Sequence, residues 1–374
     1  MYEEEKLKEE IYKCSKCGLC QCVCPVYLAT RNEMFLSRGR YNVLNGFYNY
    51  GKKLSKNFID SLDVCLNCNA CKDFCPSNID AYKVFSTLKN KYNYRYSIFY
   101  FSFIYKCILI FCFISSLLYK IFPFKSLLLN TCFEKMYAPE IIRKKTDNSL
   151  LKKGNVIYFE GCFNKYINNS DKNASLNIIE KLGYKVTNII SLCCGYPYLN
   201  EGNFKSFINN ANKIINIVND DCDYIVCSCD SCFDTLKRIS SFIVSKKAEI
   251  FVSKLIRLDE FLKLNNASLS GCQNFVYYKP LIRKEECYIS DSVKEYSRKG
   301  LCSLMENFFI LKYPKYSKLL IKSVFLKKED VDGKTLVTSC LLAKLGFIIG
   351  LKRIHSIAHV LSYAEYAEKN LVDD

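Results

Sequence analysis

Two short stretches of the chain carry cysteine at the same spacing. Residues 14–25 and 65–76 both follow the pattern C-x2-C-x2-C-x3-C-P. This run is typical of proteins with a pair of four-iron clusters, in which the fourth cysteine of each run ligates the cluster of the other run. It predicts two [4Fe–4S] clusters. We expect the first to be held by Cys14, Cys17, Cys20 and Cys75, and the second by Cys65, Cys68, Cys71 and Cys24.

Disulfides and zinc are the other common uses of clustered cysteine. Disulfide-dense proteins are usually short and secreted, whereas this chain has 374 residues, 23 cysteines and an acidic, helical start rather than a signal peptide. Zinc sites take four ligands, usually in paired C-x2-C knuckles. Two complete copies of the longer pattern therefore favour iron–sulfur clusters. Cys22 is left over, and we expect it to act as a small hydrophobic side chain.

The chain is strongly basic, with 54 Lys and Arg against 37 Asp and Glu and a net charge of +17. Most of the cations are lysines scattered along the chain, whereas phosphate and base recognition favour arginine. No known nucleic-acid motif accompanies them. We therefore expect no nucleic-acid partner, and a negatively charged membrane surface or an acidic protein as the more suitable contact. The 50% hydrophobic content is typical of a globular protein of two or three domains.

An apolar stretch follows the second cysteine run. Residues 97–122 contain only Lys106 and Lys120 as charged side chains. Their length suits a membrane span of about 20 residues, but a lysine inside the span costs about 2.5–3.5 kcal/mol. Three interpretations stay open for this stretch: a helix that covers the cluster domain, an interfacial membrane-docking segment, and a true span.

Beyond residue 154 the pattern changes to strands that alternate with helices. The runs NVIYFEGC (155–162), KVTNIISLCCG (185–195) and DYIVCSCDSC (223–232) are typical of buried strands, and each delivers cysteine at its carboxyl end. Helical spacing lies between them, at 171–182 and 204–218. Because open α/β sheets place their sites at the carboxyl ends of the strands, these cysteines are expected to meet at one edge.

This arrangement resembles the CCG cysteine-rich domain of heterodisulfide reductase catalytic subunits and their relatives. The relatives combine two ferredoxin-type clusters with two such domains, in the order found here, and the segment SRGRYNVL looks like the glycolate oxidase type. The resemblance implies a third, non-cubane cluster. A vestigial site or a simple cubane on four of the cysteines is the alternative, and Cys222 and Cys227 are expected bystanders. The implied ligands are Cys162, Cys193, Cys194, Cys229 and Cys232.

The same pattern recurs further along the chain in a decayed form. NFVYYKPL (274–281) aligns with NVIYFEGC, and KTLVTSCLLA (334–343) aligns with DYIVCSCDSC. Leu281 and Ala343 then occupy two ligand positions, while Cys340 keeps the position of Cys229 and Cys302 stands alone where a pair is expected. We therefore expect the second copy to keep the fold and to have lost its cluster.

The resemblance implies an electron-transfer subunit rather than a complete enzyme. The relatives receive electrons from an FAD-containing dehydrogenase that oxidises a 2-hydroxy acid such as glycolate or lactate, and pass them toward quinone. Glycerol 3-phosphate is the other substrate in the family. A disulfide reductase of the heterodisulfide type is the second hypothesis, although its two non-cubane clusters would need both copies of the site.

Together these patterns predict an α+β multidomain protein. We expect it in the cytoplasm, at the inner face of the cell membrane and in peripheral contact with it. The predicted parts are a helical domain with both ferredoxin-type motifs (1–95), an apolar segment and linker (96–150), a CCG cysteine-rich α/β domain (151–268) and a degenerate CCG-like α/β domain (269–374).

Overall fold

The computed structural model describes 18 of the 23 cysteines of the chain. The described residues are 3–51, 53–92, 153–166, 169–200, 202–218, 221–270, 275–278, 287–288, 295–296, 319, 331–353 and 356–372. The apolar segment 97–122 lies outside them, and so do Leu281 and Cys302. Within the described ranges, no helix is both long and apolar enough to cross a membrane.

The described part of residues 4–92 forms six helices around one apolar core. Leu44, Phe58 and Phe85 are fully buried in that core. Leu62 lies four positions after Phe58 and so shares its helix face, and the Ser55 side chain starts this helix by accepting the Phe58 N–H. The helices are α1 (Glu4–Tyr12), α2 (Pro25–Thr30), α3 (Ser37–Tyr50), α4 (Lys56–Asp63), α5 (Ala70–Asp73) and α6 (Ala81–Tyr92).

Four parallel strands form a first sheet in the order β2-β1-β3-β4. The strands are β1 (Gly154–Phe159), β2 (Tyr184–Ile190), β3 (Tyr224–Cys227) and β4 (Leu255–Arg257). The central strand β1 is buried on both faces, as expected for a parallel sheet covered by helices. These helices are α7 (Gly161–Tyr166), α8 (Asn169–Lys181), α9 (Tyr196–Asn200), α10 (Phe204–Ile217), α11 (Asp230–Lys237), α12 (Lys246–Lys254) and α13 (Leu258–Leu264). We call this sheet and its helices the first unit.

A second parallel sheet has the order β6-β5-β7-β8, which repeats the order of the first. Its strands are β5 (Phe275–Tyr278), β6 (Glu295–Tyr296), β7 (Thr335–Thr338) and β8 (His359–Ser362), and its described helices are α14 (Leu341–Arg353) and α15 (Tyr363–Asn370). We call these elements the second unit. Buried apolar residues of both sheets share one core, in which Tyr158 and Val226 of the first unit lie with Tyr277 and Val337 of the second.

The predicted fold class is confirmed as a mixed fold in which helices precede parallel sheets. Both predicted helices between the first strands are present as α8 and α10. All three predicted strands end too late, because β1, β2 and β3 stop at Phe159, Ile190 and Cys227. After β2, Cys193 and Cys194 lie in the following turn. Gly195 has a positive φ of 91° there, so the backbone has left the sheet before α9 begins.

The helical part of the chain contacts both units. The side-chain amide of Asn67, within the second cysteine run, donates to the Asn200 carbonyl at 3.1 Å. Val26 and Leu66 join the apolar core around β5 and β7. Near Asn200, the loop residue Gly202 lies against helix α6 so closely that no side chain fits between them.

Gly202→Ala is expected to weaken this contact. The new Cβ would lie 2.6 Å from the Asn90 nitrogen and 2.7 Å from the Ser86 oxygen. Overpacking of this kind costs about 1–3 kcal/mol, and the positive φ adds about 1–2 kcal/mol for a residue with a side chain. The urea midpoint of the anaerobic protein should therefore fall.

Gly333→Ala is the matched control. Gly333 has a similar φ of 70°, but a Cβ there would meet nothing within 4 Å. Gly333→Ala should therefore lose only the stability that the positive φ costs, and its urea midpoint should fall less than that of Gly202→Ala. Equal urea midpoints for the two variants would show that the loop at Gly202 does not press on α6.

Candidate functional site

The first cysteine run surrounds a small cavity next to α1. Cys14, Cys17 and Cys20 line it together with Cys75, which follows α5. The cavity volume is about 40 Å³, more than the roughly 10–15 Å³ that a single water needs. The structure thus brings the fourth cysteine of the second run to the cavity of the first.

The second run surrounds a matching cavity. Cys65, Cys68 and Cys71 line it with Cys24, the last cysteine of the first run, and its volume is about 30 Å³. Cys71 also lines the first cavity, so the two lie side by side. The walls of both cavities carry the thiols that iron–sulfur clusters need, and in this respect the residues present fit such clusters.

Both runs have the same backbone shape. Lys16 and Gly18 have positive φ angles of 60° and 86°, and the equivalent Asn67 and Asn69 have 51° and 56°. Glycine and asparagine tolerate this left-handed conformation, whereas lysine seldom adopts it. The shared shape curves each run so that its three cysteines line one cavity. Cys22, by contrast, is exposed and lines neither cavity.

The second cavity is more deeply enclosed than the first. Burial raises the pKa of Cys24 to about 11 and that of Cys71 to about 12. The pKa of the exposed Cys17 is lowered instead, chiefly by a hydrogen bond from the Leu19 backbone N–H. In the absence of iron, the thiols of Cys24 and Cys71 therefore favour the protonated form at neutral pH.

Two arginines of the SRGR segment serve different cavities. Arg38 lines the first, is partly exposed and pairs with Glu33 at 2.6 Å. Arg40 lines the second and is only 1% exposed. Its guanidinium donates to the Ser61 carbonyl at 2.6 and 3.2 Å and to the Phe35 carbonyl at 2.8 Å. All three hydrogen bonds go to neutral oxygens, so a buried positive charge faces the second cavity.

The five remaining predicted ligands form one connected group at the carboxyl edge of the first sheet. Cys162 hydrogen-bonds to Cys193, which contacts Cys194. The Cys232 thiol then contacts both Cys194 and Cys229. We call these five residues the third cysteine group. The hydrogen bonds from the Cys193 and Cys232 thiols lower the pKa of Cys194.

Glycine allows the chain to approach closely around the third cysteine group. A Cβ at Gly195 would lie 2.8 Å from the Phe207 ring, and its φ of 91° suits glycine alone. At Gly161, which also has a positive φ, a Cβ would lie 3.4 Å from the Cys232 sulfur. The glycine of the CCG sequence therefore lets the turn after Cys194 pack directly on α10.

Two further cysteines contact the third cysteine group, and the sequence predicted neither contact. Cys227, at the end of β3, contacts the Cys232 thiol, whereas we expected it to be a bystander. Cys340, expected in a lost second site, hydrogen-bonds to Cys229. The only sequence signal for the Cys340–Cys229 contact was the alignment of these two residues in the repeated pattern. Cys222 lies before β3 in the apolar core of the first unit.

The cysteines are not arranged for a single metal ion. In the part of the chain that the structure describes, no three His, Cys, Asp or Glu side chains converge closely enough to hold one. The cysteines of the two runs are spread around the walls of their cavities instead. A four-iron cluster distributes its ligands over a larger cage than one ion does.

Comparisons with known proteins match the two cysteine-bearing parts separately. A 4Fe-4S dicluster domain model matches residues 10–79, and a cysteine-rich (CCG) domain model matches residues 156–237. The chain is 29% identical over 79 residues to the probable glycolate oxidase iron-sulfur subunit of Bacillus subtilis. That match covers 21% of this chain and 18% of the relative. No solved structure matches the chain.

The two matched domains cover the regions where the structure groups its cysteines. A 4Fe-4S dicluster domain supplies the two cavities, and a cysteine-rich domain supplies the third cysteine group. The chain therefore contains a 4Fe-4S dicluster domain and a CCG cysteine-rich domain, and part of it is similar to a glycolate oxidase iron-sulfur subunit.

Proposed function

We propose that this iron–sulfur chain accepts electrons from an FAD-containing oxidase or dehydrogenase of the glycolate or lactate type and passes them toward quinone. The observation that carries the proposal is a direct contact between two cysteine-bearing loops. Asn67 lies between Cys65 and Cys68, and it hydrogen-bonds to Asn200, at the end of the short helix after Cys193 and Cys194. Two redox groups joined through one such contact are suited to exchange electrons.

The proposed ligands follow from the cavities. The first [4Fe–4S] cluster takes Cys75 as its fourth ligand and the second takes Cys24, so that each run completes the other's site. The third cysteine group takes an iron–sulfur cluster of the non-cubane type. When bound, these clusters supply one-electron chemistry, while the chain supplies sulfur ligands, enclosure and charge.

The second unit is proposed to be a degenerate copy of the first. The equal strand order supports this, and so does a repeated hydrogen bond. Tyr158 pairs through its hydroxyl with Ser228 at 3.0 Å, and Tyr277 pairs with Ser339 at 2.7 Å, in equivalent registers of the two sheets. The proposed domains are residues 1–95, 151–268 and 269–374, with the apolar segment and linker 96–150 between the first two.

The partner and the location are proposed from the relative and from charge. A glycolate oxidase iron-sulfur subunit implies a second subunit that carries the substrate chemistry, which in our proposal contains FAD. The net charge of +17 suits contact with a negatively charged surface. We therefore place the chain in the cytoplasm, at the inner face of the cell membrane.

Cys24→Ser should perturb the second iron–sulfur centre and spare the first, although Cys24 belongs to the first run. The reason is its position in the wall of the second cavity. Electron paramagnetic resonance of the anaerobic, reduced protein would resolve the two centres. Cys22→Ser is the matched control and should change neither, because its side chain is exposed outside both cavities. Damage to the same single centre by Cys24→Ser and Cys14→Ser would contradict the crossed assignment.

Arg40→Gln should lower the midpoint potential of the second centre. A buried positive charge favours the reduced, more negative state of a cluster, and the surroundings screen it weakly. Arg40→Lys keeps the charge and should stay near the wild-type potential in a redox titration followed by electron paramagnetic resonance. Arg38→Gln is a control at the first cavity, where solvent and Glu33 already offset the charge. Equal potentials in Arg40→Gln and wild type would refute this role.

The proposed function is tested by purifying the full chain without oxygen together with the proteins bound to it. The complex should contain FAD, and addition of glycolate or lactate should bleach the visible absorption of the iron–sulfur centres. The chain alone should show no bleaching, because the substrate chemistry belongs to the partner. Cleavage of an organic disulfide by the reduced chain alone would favour the heterodisulfide reductase hypothesis instead.

A further inference from the structure

The end of strand β7 reaches across from the second unit to the third cysteine group. The Asp230 N–H, at the start of α11, donates to the Ser339 carbonyl at 3.0 Å. The Ser339 hydroxyl in turn hydrogen-bonds to the Asp230 carboxylate. Since α11 carries Cys232 and directly follows Cys229, this link sets the next residue, Cys340, directly beside the group.

The Cys340 thiol is held firmly in this position. It is fully buried, and its sulfur lies 3.2 Å from the Ser231 hydroxyl. Its backbone N–H donates to the Thr338 hydroxyl at 3.2 Å. These two contacts fix the sulfur and the backbone of Cys340 at a position where its thiol hydrogen-bonds to Cys229.

Cys229 receives two hydrogen bonds from the second unit. One comes from the Cys340 thiol and the other from the Leu341 backbone N–H. The other contacts of this sulfur come from its own unit, chiefly from Cys232. One of the five proposed ligands of the third cluster thus accepts hydrogen bonds from two donors of the second unit.

The contact between Cys340 and Cys229 gives the second unit a role at the third cysteine group. This role does not require a cluster in the second unit itself. Cys229 and Cys340 occupy equivalent places after β3 and β7, so the two units meet at this position through the same residue type. Hydrogen bonds to ligand sulfurs are among the factors that set the potential of an iron–sulfur cluster, and they stabilise its more negative, reduced state.

We infer that Cys340 is a positioning residue of the third iron–sulfur site, which donates its thiol hydrogen to the Cys229 sulfur and raises the midpoint potential of that centre. This inference rests on the proposed cluster at the third cysteine group. It assigns the second unit a part in electron transfer, where the sequence indicated only a retained fold.

Two substitutions at this position separate hydrogen-bond donation from ligation. Cys340→Ala removes the donor and should lower the midpoint potential of the third centre, whereas Cys340→Ser keeps a donor and should stay closer to wild type. Iron content should equal that of wild type in both. Cys222→Ala is the control, because that cysteine is also buried but precedes β3, at the opposite end of the strand. It should leave the potential unchanged.

Other results would overturn the inference. Loss of about four irons in both Cys340 variants would make Cys340 a ligand, and an unchanged potential in Cys340→Ala would remove its role altogether. Unaltered signals from the first two centres show that each variant is folded. A wild-type chain without any third centre would instead refute the proposed cluster.

The contact itself is tested without iron. In cluster-free protein, diamide should oxidise Cys340 and its neighbour, so that two thiols lose two protons and two electrons to the reagent and form one disulfide. Peptide mass spectrometry should find Cys340 linked to Cys229. If Cys340 forms no cross-link to any cysteine of the first unit, the two units do not meet there, whatever the state of the third centre.

Discussion

Cysteine sulfur atoms from distant parts of the chain meet at three places, the two cavities and the third cysteine group, and the rest of the structure depends on bringing them there. A thiol is easily buried, but a ligand has to be a thiolate, whose charge is unfavourable in an apolar interior without compensation. The chain meets this need with the exchanged cysteines Cys24 and Cys75, the buried guanidinium of Arg40 and hydrogen bonds that converge on Cys229.

The exchange of cysteines has a structural consequence for the helical part. Because Cys24 lines the cavity of the second run and Cys75 that of the first, neither site is complete until residues 14–75 have folded as one body. The core of Leu44, Phe58 and Phe85 provides that body. Contacts of Asn67 with Asn200, and of Val26 and Leu66 with the second sheet, then fix the two cavities relative to the CCG part.

Much of this arrangement is predictable from local sequence. The spacing of the cysteines indicates the two runs, strand-ending cysteines indicate the edge of the first sheet, and periodicity locates α8 and α10. The structure brings together the residues that these patterns single out. These are local signals, and each acts over a few residues.

The remainder depends on tertiary contacts and on backbone conformations that the side chains themselves do not favour, so local sequence patterns do not predict it. Arg40 is an ordinary polar residue of the predicted helical domain, and only tertiary packing encloses it beside the second cavity. Cys340 aligns with Cys229, but an alignment does not show that the two would meet. The left-handed φ of Lys16 is likewise imposed by the run that contains it, against the preference of its side chain.

The central claim is that three iron–sulfur centres lie along one electron-transfer chain. Its most direct test is a reductive titration of the anaerobically purified full chain, followed by electron paramagnetic resonance and combined with iron and sulfide analysis. The account predicts three separately titrating centres and about twelve irons per chain, four for each site. Two centres with about eight irons would contradict it, because the third cysteine group would then hold no cluster.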